Sequence, residues 1–293
     1  LIGPRAVLNL YNASGAAIQG NYLRHDYHGG FSQGFNLWFT GSSGDALAEH
    51  NVIRGGSWPV QSFGGEFRYN LVIDSGHNFW RSAADDTAIH HNVFAHASGV
   101  NTGYDGVFKF YGGESGLSIY NNTFDAGGSI GGFDGPAFNI DEGSMIDSIR
   151  NNLFTSFLNV NSAYDGAWVS TPDGPPALPR VTEADYNGWF NPLAFGSTRY
   201  LAGVVSGSAG ANDLQADPQL SGEAEIPYQV AEGCIWLGDC SAADVLSHYR
   251  ALYRPSPTSP LLNAGDPADG SDSFIGAVGP RDTNPTDLFG LIP

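Results

Sequence analysis

Lys109 is the only lysine among the 12 basic residues of this sequence, and it stands in the run Val107-Phe-Lys-Phe-Tyr111. An amine partly buried between aromatic rings is disfavoured as a cation and is drawn towards use as a base. The competing expectation is a surface lysine paired with Asp105 or Asp141. Arg81, in Phe79-Trp-Arg81, carries a guanidinium suited to a carboxylate. Tyr111 and Asp141 have the chemistry to donate or orient a proton, while Trp38, Phe79 and Asn139 offer two aromatic faces and an amide for a sugar ring. Together these residues would form a groove for a polyhydroxylated, acidic polymer.

A second pattern is an aromatic residue followed by Asp-Gly. It occurs at Tyr104-Asp105-Gly106, Phe133-Asp134-Gly135 and Tyr164-Asp165-Gly166. If the copies stack, their carboxylates lie one strand spacing apart, and such neighbours need a cation or a raised pKa. Calcium suits oxygen ligands at a turn. The alternatives are catalytic acids and plain Asp-Gly turns whose aspartates bond their own backbone. Asp85-Asp86 reads as a loop feature. His25, His28, His90, His91 and His96 fit no zinc spacing.

These groups need elements that bring them to one face. The phrase Asn followed by two apolar or β-branched residues begins at Asn21, Asn51, Asn70, Asn92, Asn122 and Asn152. Short β-type runs lie between the copies, with Gly-rich turns around them. No segment of residues 1–160 has a helical period. Repeats of this length, with two or three short strands each, predict a parallel β-solenoid with the asparagines stacked as an internal hydrogen-bonded ladder. Counting back from each Asn gives two rows predicted to face outward. One holds Trp38, Ser57, Phe79, Lys109 and Asn139; the other holds Thr40, Pro59, Arg81, Tyr111 and Asp141. The residues between them, Phe39, Trp58, Trp80, Phe110 and Ile140, are predicted to face the core.

The Asn phrases over residues 21–154 resemble the right-handed parallel β-helix superfamily, the pectate-lyase-like proteins. So does the ending, with Asp185-Tyr-Asn187, Ala216-Asp-Pro-Gln-Leu220, Ser259-Pro-Leu-Leu-Asn-Ala-Gly-Asp266 and Ile275-Gly-Ala277. The resemblance implies an all-β solenoid, although the superfamily spans lyases, hydrolases, epimerases, transferases and adhesins. It further implies a Lys or Arg base that removes the C5 proton of a uronic acid, with a second cation or calcium neutralising the sugar carboxylate. Lys109 and Arg81 would fill those roles. Gly64-Gly-Glu66 and Gly112-Gly-Glu114 are similar to the Asn-Gly-Gly-Glu calcium motif of some β-helix lyases, but Phe63 and Tyr111 stand where the Asn would be, so calcium is not assigned there.

Residues 1–160 are expected to form the coils. Residues 161–293 are expected to add irregular final coils and a cap on the same solenoid, with one helix over 242–253 started by Asp239 or Ser241. Cys234 and Cys240 are spaced to close a small disulfide loop, which favours a secreted or periplasmic address; the alternatives are free thiols and, last, a metal site. A formal net charge of −18 excludes a nucleic-acid surface, and no apolar run is long enough for a membrane span. The leading expectation is a polysaccharide lyase. The alternatives are a glycoside hydrolase drawing on Asp105, Asp134, Asp141 and Glu142, favoured by the acidic charge, and a non-catalytic glycan-binding or adhesive solenoid.

Overall fold

A computed structural model describes residues 6–26, 34–40, 44–97, 107–126, 136–141, 143–157, 168–171, 176–190, 199–207, 209–222 and 229–280. The chain is a parallel β-helix of three seven-stranded sheets. The first sheet takes β1 (Ala6–Tyr11), β4 (Phe35–Thr40), β7 (Val60–Phe63), β10 (Trp80–Ala83), β13 (Phe108–Phe110), β16 (Phe138–Ile140) and β19 (Val169–Ser170). The second takes β2 (Ala17–Gln19), β5 (Ala46–Glu49), β8 (Gly65–Arg68), β11 (Ala88–His90), β14 (Leu117–Tyr120), β17 (Ile146–Arg150) and β20 (Val181–Asp185). The third takes β3 (Tyr22–His25), β6 (Val52–Gly55), β9 (Leu71–Ser75), β12 (Val93–Ala97), β15 (Thr123–Asp125), β18 (Leu153–Thr155) and β21 (Gly188–Phe190).

The corner between the second and third sheets explains the recurrent Asn. The residue before each ladder Asn turns the chain in the left-handed region: Gly20, His50, Tyr69, His91, Asn121, Asn151 and Tyr186, with φ between 49° and 65°. The Asn that follows points inward. Its backbone N–H and its Nδ2 both donate to Oδ1 of the next Asn, at 2.9–3.2 Å, from Asn21 through Asn51, Asn70, Asn92, Asn122 and Asn152. The six asparagines stack along one side, as expected. Each buried amide is thus satisfied by its neighbours, where an orphaned one would cost about 1–3 kcal/mol.

Two rungs lay beyond the sequence pattern. Asn187 is the seventh, 35 residues after Asn152 and followed by Gly188 and Trp189 instead of two aliphatic residues. A Cβ at position 188 would come within 3.0–3.3 Å of the Ile275, Leu153 and Leu261 side chains, so any larger residue needs those side chains to give way by a few tenths of an ångström. The ladder ends on Asp213, whose carboxylate accepts the Asn187 backbone N–H, the Trp189 indole N–H and the Tyr200 hydroxyl at 2.9 Å. Burial raises its pKa, and those hydrogen bonds act against the rise. Regular coils therefore run to residue 190, past the expected boundary near 160, and bridges at Tyr200, Val205, Ala209 and Leu214 add part of another.

The core is stacked in register. Phe94, Phe124, Phe154 and Trp189 lie over one another with centroids 4.1–5.1 Å apart. Phe108 and Phe138 meet them edge-on from the first sheet. Such pairs add roughly 0.5–1.5 kcal/mol each beyond their buried area.

The C-terminal region departs most from expectation. Two helices form, α1 (Gln229–Leu237) and α2 (Ala242–Leu252). Ser241 caps α2 in a reciprocal box with Asp244. The unexpected α1 carries Cys234, joined by a disulfide to Cys240. Instead of closing the end of the solenoid, α2 lies on the outer face of the third sheet. Val245, Leu246, Tyr249 and Tyr253 form one buried cluster there with Val52, Leu71, Ile73, Val93 and Ala95. Strands buried on both faces read as unbroken apolar runs, hence Asn-Val-Ile and Asn-Leu-Val-Ile. Among the described residues no helix is long and apolar enough to cross a membrane.

Candidate functional site

The first sheet keeps its outer face free of this covering, and strand register fixes what lines up on it. Asn9, Trp38, Gln61, Arg81, Lys109, Asn139 and Ser170 are successive cross-strand partners. Trp38, Lys109 and Asn139 share one row, as expected. Arg81 belongs to this same row and is the direct partner of Lys109, whereas the sequence reading put it in the row two residues on. The cause is turn length. Lys109 stands 13 residues before its ladder Asn, Arg81 only 11 and Gln61 only 9, because two coils have shorter turns between their first and second strands. Asn139, expected outward as a sugar contact, is buried because its strand lies deeper in the row, and so are Ser57 and Pro59 of the expected outward rows; with Ser170 buried too, the accessible stretch runs from Asn9 to Lys109.

One groove assignment is corrected. Phe79 is not a groove residue: it is fully buried against Phe94, 5.5 Å between centroids. It precedes β10 at a corner, where the in–out alternation of the strand has not begun. Trp58, read as core, is buried, and its ring also borders the row. The Arg81 guanidinium lies 4.0 Å from the Trp58 ring centroid and 4.8 Å from that of Tyr111, sandwiched between two aromatic faces. The Trp58 indole is held from behind by its N–H, which donates to His77 Nδ1 at 3.1 Å. Phe35 continues the run, 5.7 Å from Trp58 and 4.8 Å from Trp38.

Lys109 is half-buried, but Phe108 and Phe110 do not surround its amine; both point into the core, as strand alternation requires. Its aromatic neighbour is Tyr111, whose ring centroid is 5.9 Å from Nζ. Asp141 occupies the position equivalent to Tyr111 one coil on, with its N–H donating to the Phe110 carbonyl at 2.8 Å. The structure thus joins Trp58, Arg81, Lys109 and Tyr111, with Gln61 and Trp38 extending the row; Trp58 and Gln61 had escaped sequence reasoning.

Glu114 supports this floor without facing it. Its buried carboxylate accepts the Gly112 N–H at 2.9 Å, the Ala83 N–H at 3.3 Å and the Ser144 hydroxyl, tying together three turns that follow first-sheet strands. Asp85 likewise acts as a turn residue, accepting the Ser115 N–H and hydroxyl at 2.8 and 3.0 Å. His90 and His91 stand at the corner of the second and third sheets, away from Lys109.

The electrostatics of the row are unusual for so acidic a chain. Arg54, Arg68 and Arg150 each meet carboxylates at 2.7–3.2 Å. Among the described residues Arg81 meets none, and its contacts are the two aromatic rings. A guanidinium flanked by ring faces keeps its edge donors for an incoming anion. Asp105, Asp134, Asp165 and Glu142 lie outside the described residues. Among the described residues no cluster of three or more His, Cys, Asp or Glu side chains is arranged to hold a metal ion.

No protein-family model matches the chain, and no curated protein matches its sequence.

Proposed function

We propose that the open face of the first sheet binds an acidic polysaccharide and cleaves it by β-elimination. The observation that carries this reading is Arg81, a guanidinium without a carboxylate partner among the described residues of a chain of net charge −18, on the rung next to the only lysine. In this reading Arg81 pairs with the uronate carboxylate and stabilises the charge that develops there when C5 loses its proton. The Lys109 amine takes that proton. The C5–H pair forms the C4–C5 double bond, the C4–O4 bond breaks, and O4 leaves with a proton from the Tyr111 hydroxyl. Trp38, Trp58 and Gln61 bind neighbouring sugar units.

The pectate-lyase-like resemblance and the parallel sheets support placing the chain in that superfamily. The Cys234–Cys240 disulfide supports an extracellular or periplasmic site of action.

The test is a panel of polyuronates and neutral polysaccharides, followed by both reducing-end release and the ultraviolet absorbance of an unsaturated uronate. Both signals on a polyuronate are expected. Reducing ends without absorbance would give the site to a hydrolase. Saturable binding without either signal would make the chain a glycan-binding solenoid.

A further inference from the structure

A second cavity lies on another side of the solenoid. The C-terminal segment returns across the corner of the second and third sheets and is pinned there. Asp266 N–H donates to Asn151 Oδ1 at 2.7 Å, Asn151 Nδ2 donates to Asp269 at 2.8 Å, and Asn121 Nδ2 donates to the Phe274 carbonyl at 2.8 Å. Arg150 reaches Asp266 and Asp269, both at 3.2 Å. Between these anchors the segment arches over the coils and leaves a space of about 490 Å³. Its walls include His91, Tyr120, Asn121, Asp269, Asp272 and Phe274. That volume is within the roughly 300–1,000 Å³ of small-molecule sites.

The hydrogen-bond chain behind the cavity decides what His91 offers. Glu66 meets Arg68 Nη1 at 2.8 Å, and a carboxylate oxygen in such a pair accepts. His90 Nε2–H therefore donates to it at 2.9 Å. A neutral His90 then has a lone pair on Nδ1, so the His91 Nδ1–H donates to it at 2.8 Å. Burial, with the nearby His90 and Arg250, pushes the His91 pKa down to about 3, so its ring is neutral and its Nε2 is an acceptor. Among the described residues nothing donates to that nitrogen.

The cavity thus sets one acceptor, His91 Nε2, and the carboxylates of Asp269, already bonded to Arg150 and Asn151, and Asp272 beside the rings of Tyr120 and Phe274. Acceptors of this kind repel carboxylates and phosphates and favour a neutral ligand rich in hydroxyl donors. The rings favour one with an apolar C–H face. We propose that this cavity is a separate, non-catalytic site that holds one neutral sugar ring. The proposal is independent of the chemistry assigned to Lys109, because it uses none of the first-sheet residues.

The experiment is titration of the full chain with the methyl glycosides of glucose, galactose and mannose, by calorimetry and ligand-observed NMR. His91→Asn keeps the left-handed corner, since the next two coils carry Asn121 and Asn151 at the same position with φ of 49° and 55°. Phe274→Ala, at the end of the arch, removes one ring wall without touching the ladder. At least one glycoside should bind, and each variant should weaken it about tenfold, the effect of losing one hydrogen bond or ring contact. Lys109→Ala should leave this binding unchanged. The proposal is overturned if none of the three glycosides binds, if both variants bind as tightly as the parent, or if binding vanishes in Lys109→Ala.

Discussion

The outer faces of the first and third sheets are built on the same coils and have opposite fates. On the third, Val245, Leu246, Tyr249 and Tyr253 press against Val52, Leu71, Ile73, Val93 and Ala95, and the polar groups brought in are satisfied. Tyr253 donates to the buried Asp125 carboxylate at 2.7 Å, and Arg250 donates to the carbonyls of His91 and Ala277 at 2.6 and 2.9 Å. On the first, Trp38, Gln61, Arg81 and Lys109 stay half-exposed, and among the described residues Arg81 is held by two aromatic faces. A stack of coils needs only its inner face and its ladder. The outer faces are free to differ, and the first, which α2 does not cover, carries Arg81 and Lys109.

The difference can be pressed from both sides. The largest expected effect is on the open face. Lys109→Ala should lower turnover of a polyuronate by on the order of 10²–10⁴-fold, followed by ultraviolet absorbance, with the melting temperature within a degree or two of the parent. A variant that kept full turnover would remove the base from the scheme.

Next in size is the core that both faces share. Phe124→Ala opens the middle of the Phe94–Phe124–Phe154 stack and should cost about 3–5 kcal/mol in denaturant unfolding. A loss under 1 kcal/mol would mean that the coils are not held together by that stack.

Arg81→Ala should weaken binding of an acidic oligosaccharide by roughly 1.5–3 kcal/mol, seen as a raised KM, with Arg81→Lys failing to restore it because an ammonium lacks the planar stack. Equal loss for a neutral oligosaccharide would argue against carboxylate recognition.

The covered side should respond to pH. The folded His91 pKa of about 3 lies below its ordinary 6.5, so the unfolded chain gains a proton first as pH falls. Stability from this group is complete above about pH 6.5 and declines steadily towards pH 3. Between pH 6.5 and 5 the loss should be about 2 kcal/mol. Burial lowers the His50 and His90 pKa values as well, so His91→Asn should reduce the slope of that part of the profile without abolishing it, and an unchanged slope would locate the titration elsewhere.

The smallest effect concerns calcium. If Asp105, Asp134 and Asp165 hold it beside the open face, the melting temperature should rise with calcium, fall with chelator, and respond less in Asp134→Asn. Identical melting curves would return these residues to plain turns.

Much of this was legible residue by residue. The Asn phrase implied both the coil and the ladder, because a buried amide at a repeated corner has few partners other than its own copies. Trp38, Lys109 and Asn139 fell into one row because each stands 13 residues before a ladder Asn. Ser241 marked the start of α2, and the bonded cysteines lie six positions apart. The helix α1 gave no such signal: it is nine residues long and has a glycine, Gly233, in its interior.

By itself, then, the sequence determined what repeats and what alternates: the parallel coil of short strands, its ladder from Asn21 to Asn152 and the outward direction of Lys109. Only the tertiary structure decided which rows met and which faces closed. Arg81 joined Lys109 because two turns are shorter, and turn length shifts register without changing any strand's own pattern. The third sheet was covered, and the His91 cavity formed, by residues more than 100 positions away, such as Phe274 bonded to Asn121 across 153 residues. Local periodicity carries no record of a contact made over that distance.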